Sequence, residues 1–137
     1  MIKFRESRLR PQARLCGMAL GAGRVTIGIV ALVRPDLMAR AWVGAAQAAG
    51  PAGAVLGRAA GGRDIALGVG ALLASSWRNG RGLLGWTVAG SFCDAVDVAA
   101  TVASWRELPP RGRYAVAGAA SSGVLLGALT IVLARRG

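Results

Sequence analysis

The residues able to do chemistry in this chain are few, and they stand in apolar surroundings. Arg24, Asp94 and Asp97 each interrupt a long apolar run, and Arg63 and Asp64 stand at the head of another. Asp94 and Asp97 are three residues apart, so on a helix their carboxylates share a face and could serve as a general acid with its partner in proton transfer. Thr101 continues the same face one turn on. Histidine is absent, which removes Ser-His-Asp and Cys-His nucleophiles and the commonest metal ligand. Cys16 and Cys93 are isolated, so neither a CxxC redox pair nor a cysteine-rich zinc site can form. No metal and no cofactor is expected, and Asp94 and Asp97 are the only catalytic candidates.

An ionised side chain at the centre of a bilayer costs about 2.5–3.5 kcal/mol, so Arg24, Asp94 and Asp97 facing lipid would together oppose insertion by roughly 7–10 kcal/mol. They must therefore face one another. The small or polar residues Thr87, Gly90, Asp94, Asp97, Thr101 and Ser104 recur at steps of three and four, which is one helical stripe. Gly17, Gly21, Arg24, Gly28 and Ala31 form a second stripe, and Gly61, Asp64, Gly68, Ala71 and Ser75 a third. Ala119, Gly123, Gly127 and Thr130 form a fourth. Small residues let helix backbones approach closely, so the stripes should meet at a common axis. Arg24 is expected to pair with Asp94 and Asp97, with Arg63 and Asp64 one or two turns above. By rise per residue, Arg24, Asp97 and Asp94 lie about 13, 12 and 16 Å from one membrane face and Asp64 only about 7 Å. Two roles are open for the cluster of Arg24, Arg63, Asp64, Asp94, Asp97 and Thr101: holding the helices in register, or binding a proton, ion or amphipathic ligand.

The elements that would carry these stripes follow from length and hydropathy. The chain has 137 residues, 54% of them hydrophobic, with 17 Lys+Arg against 6 Asp+Glu. A soluble nucleic-acid binder would explain the charge but not apolar runs long enough to cross a hydrocarbon core of about 30 Å. The expected fold is all-α, a four-helix transmembrane bundle with spans near residues 15–33, 59–77, 83–105 and 114–134 of one membrane domain, 15–134. The second span is the weakest, reaching full length only by including Arg63 and Asp64. A basic tail, 1–14, precedes the domain and a short one, 135–137, follows it. Between spans one and two, Asp36 can cap a short helix in which Leu37, Met38, Ala41, Trp42 and Ala45 recur at helical spacing. A helix lying at the interface fits the segment 36–58, with a plain Ala/Gly-rich loop as the alternative. Gly50-Pro51 should break it. Trp77 and Trp86 fall at one membrane face, and Trp42, Trp105 and Tyr114 at the other, where amphipathic rings collect.

An even number of spans puts both termini on one side. Lys3, Arg5, Arg8, Arg10 and Arg14 directly precede span one, so the positive-inside rule places both termini in the cytoplasm, with the protein multi-pass in a cell inner membrane. The same tail resembles the start of a signal peptide, but the apolar run is long, Arg24 interrupts it, and no convincing A-x-A cleavage site follows. The expected partner is the lipid bilayer, with a second copy or another membrane protein as open alternatives. Specific nucleic-acid binding is not expected, because arginines beside a span follow from orientation and anionic lipid alone.

The segments Gly62-Arg63-Asp64-Ile65-Ala66-Leu67-Gly68-Val69-Gly70, Asp94-Ala95-Val96-Asp97 and Ala100-Thr101 resemble those of an uncharacterised group of small four-helix bacterial membrane proteins. That group is defined only as a domain of unknown function, common in actinobacteria and loosely similar to DoxX-like bundles. The resemblance implies a fold and a location without a catalytic assignment. Function is thus expected to lie with a membrane component that binds a small ligand, lipid or partner helix. The alternatives are an intramembrane acid–base enzyme of isomerase or cyclase type, and a proton-coupled transport subunit using Asp94 and Asp97.

Overall fold

The computed structural model describes residues 10–77 and 82–135. Lys3, Arg5 and Arg8 of the basic tail, Arg78 and Arg81 of the second turn, and Arg136 lie outside them. Among the described residues there are six helices and no strand: α1 (Pro11–Val33), α2 (Pro35–Val43), α3 (Ala45–Ala48), α4 (Pro51–Ser76), α5 (Leu83–Ala103) and α6 (Pro110–Arg135). Proline opens α1, α2, α4 and α6, where its missing N–H is no loss and its fixed φ suits the first turn. Gly44 and Gly50, at φ 91° and 93°, make the bends around α3 in a region of backbone space that side chains rarely enter.

The helices overrun the apolar runs that mark them. α1 begins at Pro11 rather than residue 15, so the last part of the expected tail is helical, and α6 begins at Pro110 rather than 114. α5 ends at Ala103, two residues before the expected limit. The largest correction concerns α4. Gly50-Pro51 does break the chain, but Pro51 then starts the long helix, so residues 51–58 are its first turns and not part of an interfacial segment. Asp36 does not cap α2: Arg34 holds the N-cap position, and Asp36 lies in the first turn. The Arg34 guanidinium, 3.3 Å away, holds the Asp36 carboxyl below the usual carboxylate range.

Three helices, α1, α5 and α6, are long and apolar enough to cross a membrane. α4 is long enough at 26 residues but is diluted by glycine, Arg58, Arg63 and Asp64, so composition supports three spans and not four. The distribution of side chains inverts that of a water-soluble domain. Large apolar groups such as Leu15, Phe92 and Leu125 face outward, each about two-thirds exposed (66%, 68% and 70%), while the buried apolar residues are Leu67, Leu83 and otherwise alanines.

α1 packs antiparallel on α4, and α5 on α6; these two pairs make the most extensive contacts, and α2 crosses the ends of α4 and α6. The α1–α4 contact is built on glycine. A Cβ at Gly21 would lie 2.8 Å from the Gly68 carbonyl oxygen, and one at Gly28 would lie 2.7 Å from that of Gly61. The reciprocal substitutions at Gly68 and Gly61 would meet the Gly21 and Gly28 carbonyls at 2.6 and 2.8 Å. Two of the expected small-residue stripes therefore meet face to face.

Neighbouring positions on α4 test this contact. Gly61→Leu must force α1 away and should cost about 1–3 kcal/mol of stability. Gly62→Leu, beside which nothing lies within 4 Å, should change stability by less than about 0.5 kcal/mol. Thermal unfolding of the two purified variants in detergent checks the difference.

Candidate functional site

Each pair of tightly packed helices brings part of the charged cluster. On α1, Arg24 lies between Gly21 and Gly28; on α4, Asp64 lies between Gly61 and Gly68, at the same spacing. Antiparallel packing in that register sets Arg24 opposite Asp64, and Nη1 of Arg24 donates to Asp64 Oδ1 at 3.0 Å. The rest of the guanidinium reaches across to α5. Nη2 donates to Asp94 Oδ2 at 2.5 Å and to the Gly90 carbonyl oxygen at 2.9 Å. Arg63 binds Asp97 in a two-point fork, Nη1 to Oδ1 at 3.0 Å and Nη2 to Oδ2 at 2.9 Å, and its Nη2 also lies 3.4 Å from Asp64 Oδ1. The five groups thus form one chain of alternating sign: Asp94, Arg24, Asp64, Arg63, Asp97. All are largely buried, with side-chain exposures of 11–15% except for Arg63 at 32%.

The structure brings together every residue of the expected cluster but rearranges its partners. Arg24 pairs with Asp64 and Asp94; Asp97, expected on Arg24, pairs with Arg63. The reason is depth. Because α4 starts at Pro51, Asp64 lies about 20 Å along its helix instead of about 7 Å into a span, level with Arg24 and not above it. Thr101 takes a structural position, its hydroxyl donating to the Asp97 carbonyl oxygen at 2.7 Å and accepting from Trp42 Nε1 at 3.1 Å. The sequence marked Trp42 only as an interfacial aromatic. Its partner on α5 was not apparent, because an apolar, aromatic face on a short helix looks the same whether it meets lipid or protein.

A cavity of about 460 Å³ lies over this chain of charges. Arg24, Arg63, Asp64, Asp94 and Asp97 form its polar surface, and Met38 and Trp42 of α2 close one side. Its remaining walls are small or apolar residues of α1 and α6, including Ala19, Gly23, Ile27, Val116, Ala119 and Leu126. Ala19, Gly23 and Ile27 on α1 and Ala115, Ala119 and Ser122 on α6 are exposed, so the cavity opens sideways between these two helices. Both oxygens of Asp97 are held by Arg63, so a cooperating acid–base pair of Asp94 and Asp97 is not assembled. Asp94 faces the cavity with Oδ2 on Arg24; its Oδ1 makes no hydrogen bond among the described residues. No group of three or more acidic or cysteine side chains among those residues is placed to hold a metal ion.

Comparison with known protein families, with curated proteins and with solved structures finds no match to the chain.

Removing one member of a buried ionic chain strands its partners. Arg24→Leu should destabilise the protein by about 3–5 kcal/mol, because Asp94 and Asp64 both lose the guanidinium they are paired with. Combining it with Asp64→Asn and Asp94→Asn should recover most of that loss. Unfolding midpoints of the single and triple variants in detergent measure the recovery; equal damage in both would contradict the pairing.

Proposed function

We propose that this chain is a four-span inner-membrane protein whose lateral cavity binds a small amphipathic molecule, the polar head on the Asp94 end of the ionic chain and the apolar body along α1 and α6. One observation carries the reading: a space of about 460 Å³, within the range of about 300–1,000 Å³ common to ligand pockets, joins a charged floor to apolar walls and opens on the side. A cluster serving register alone needs no such space above it. Outward-facing leucine, valine and phenylalanine around a core of alanine and glycine support a lipid setting, since tight contact between small residues is how helices associate there.

α4 serves as the fourth span in this proposal. Its composition falls short because of Arg63 and Asp64, yet both are neutralised by Arg24 and Asp97, so the cost that hydropathy assigns them is not borne by lipid. Four spans and the basic segment before α1 give cytoplasmic termini. Membership of the small bacterial group resembled by the 62–70 and 94–101 segments is part of the same proposal.

Two measurements test it. In native mass spectrometry, the chain released from mild detergent should retain one lipophilic molecule. Ala119→Trp, which fills the cavity, should abolish that adduct, and Gly118→Trp, where nothing lies within 4 Å, should not. For the topology, Glu107→Cys in a variant lacking Cys16 and Cys93 should react with an impermeant maleimide in intact cells, and a cysteine added after residue 137 should react only after lysis.

A further inference from the structure

The alternating chain begins and ends on a carboxylate, so three aspartates face two arginines and one negative charge is left over. The charged groups facing Asp94 are Arg24 from α1, Arg63 and Asp64 from α4 and Asp97 on its own helix; the residues that α2 and α6 turn to the cavity carry no charge. The described residues therefore offer no third cation there, and an uncompensated charge in so apolar a site is strongly disfavoured. A proton or a cation from outside must complete the balance.

Geometry selects where it binds. Asp97 is held at both oxygens by Arg63, and Asp64 lies between two arginines. Asp94 stands at the free end, its Oδ2 on Arg24 and its Oδ1 without a hydrogen bond among the described residues, at the cavity surface. An alkylammonium group matches this position: it supplies the missing positive charge and N–H donors, while its chain suits the walls of alanine, isoleucine, valine and leucine. We infer that the cavity is an exchange site for lipophilic amines, in which an ammonium head on Asp94 replaces one proton held by the ionic chain. The inference rests on the proposal that the cavity binds an amphipathic molecule. In the exchange R–NH3+ enters, the carboxyl O–H of Asp94 breaks, an N–H···O hydrogen bond to the carboxylate forms, and H+ leaves to water; the charge within the cavity is the same before and after.

Ten-carbon probes that differ only in the head separate the possibilities: decylamine, decanol and decanoate. They are titrated calorimetrically into the full chain in zwitterionic-lipid nanodiscs, with empty nanodiscs subtracted, in buffers of different ionisation heat. Between about pH 5 and 8, where the amine stays charged, decylamine should bind roughly 10- to 100-fold more tightly than decanol. Because amine and proton compete, its affinity should rise with pH, with release of about one proton per amine at the acidic end. Asp94→Asn leaves two arginines facing two aspartates, a balanced chain that should fold. It should reduce decylamine to the affinity of decanol and abolish proton release while decanol binding persists. Exchange is overturned if decylamine shows no advantage over decanol, if no proton is released, or if Asp94→Asn keeps the amine preference. Decanol or decanoate binding without an amine advantage would overturn exchange alone; failure of all three probes to bind would overturn the cavity reading as well. The three-probe comparison on the unaltered chain decides the question even if the variant does not accumulate.

Discussion

The constraint on which this structure depends is that two arginines and three aspartates, gathered in a largely apolar interior, must be brought to charge balance. A guanidinium can contribute to that balance only if the helix facing it comes close. Glycine at 21, 28, 61 and 68 removes the side chains that would hold α1 and α4 apart, and the same spacing, glycine to charge to glycine, places Arg24 opposite Asp64 when the helices run antiparallel. Close backbone contact and ion pairing are therefore one feature. The glycines bring the helices together through dispersion at short range, and the ion pair selects one register among those that a smooth glycine surface would allow. Sliding α4 by one turn would part Arg24 from Asp64 and leave charges buried without partners.

That arrangement also accounts for the cavity. α1 with α4 and α5 with α6 are closely packed pairs. Leu83 on Gly17 and Trp86 on Gly70 join the two pairs directly at one end, but beside the cavity the link is made by long side chains, Arg24 extending from α1 to α5 and Arg63 from α4 to α5. An extended arginine holds helices further apart than a glycine contact does. Since the larger apolar groups are turned outward, little remains to fill the space so created. α2 closes it on one side, with Met38 and Trp42 turned inward, and α1 and α6, small along their facing edges, leave it open on the other.

Much of this was legible in the sequence, and the parts that were not share a cause. Apolar runs mark the long helices, and steps of three and four mark the inward stripes with Arg24, Asp64, Asp94, Asp97 and Thr101 on them, while proline, legible as a break between helices, proves also to open four of them. Partner choice is not legible because it depends on relative depth, and the apolar part of α4 begins near residue 59 whereas the helix begins at Pro51, a displacement of eight residues or about 12 Å. The amphipathic pattern of α2 could not distinguish lipid from protein as the surface beneath it, so the bond from Trp42 to Thr101 was hidden. The cavity is a property of how far apart two helix pairs stand, and no local pattern encodes that distance.

Asp94 and Asp97 lie one turn apart on one helix face, yet their surroundings assign them different work. Asp97 is fixed on three sides: its carboxylate by the fork of Arg63, its carbonyl by the Thr101 hydroxyl, and through that hydroxyl by Trp42, which ties α2 to the same turn of α5. Any chemistry that required this carboxylate to move or change charge would disturb three helices at once. Asp94 has one ionic partner and one oxygen to spare. A change at its free oxygen, whether a proton or a visiting head group, alters the end of the chain and leaves the Asp64–Arg63–Asp97 links that join α4 to α5 in place. A site that must bind and release something without loosening its fold needs such a division, with the binding charge at the end of the ionic chain.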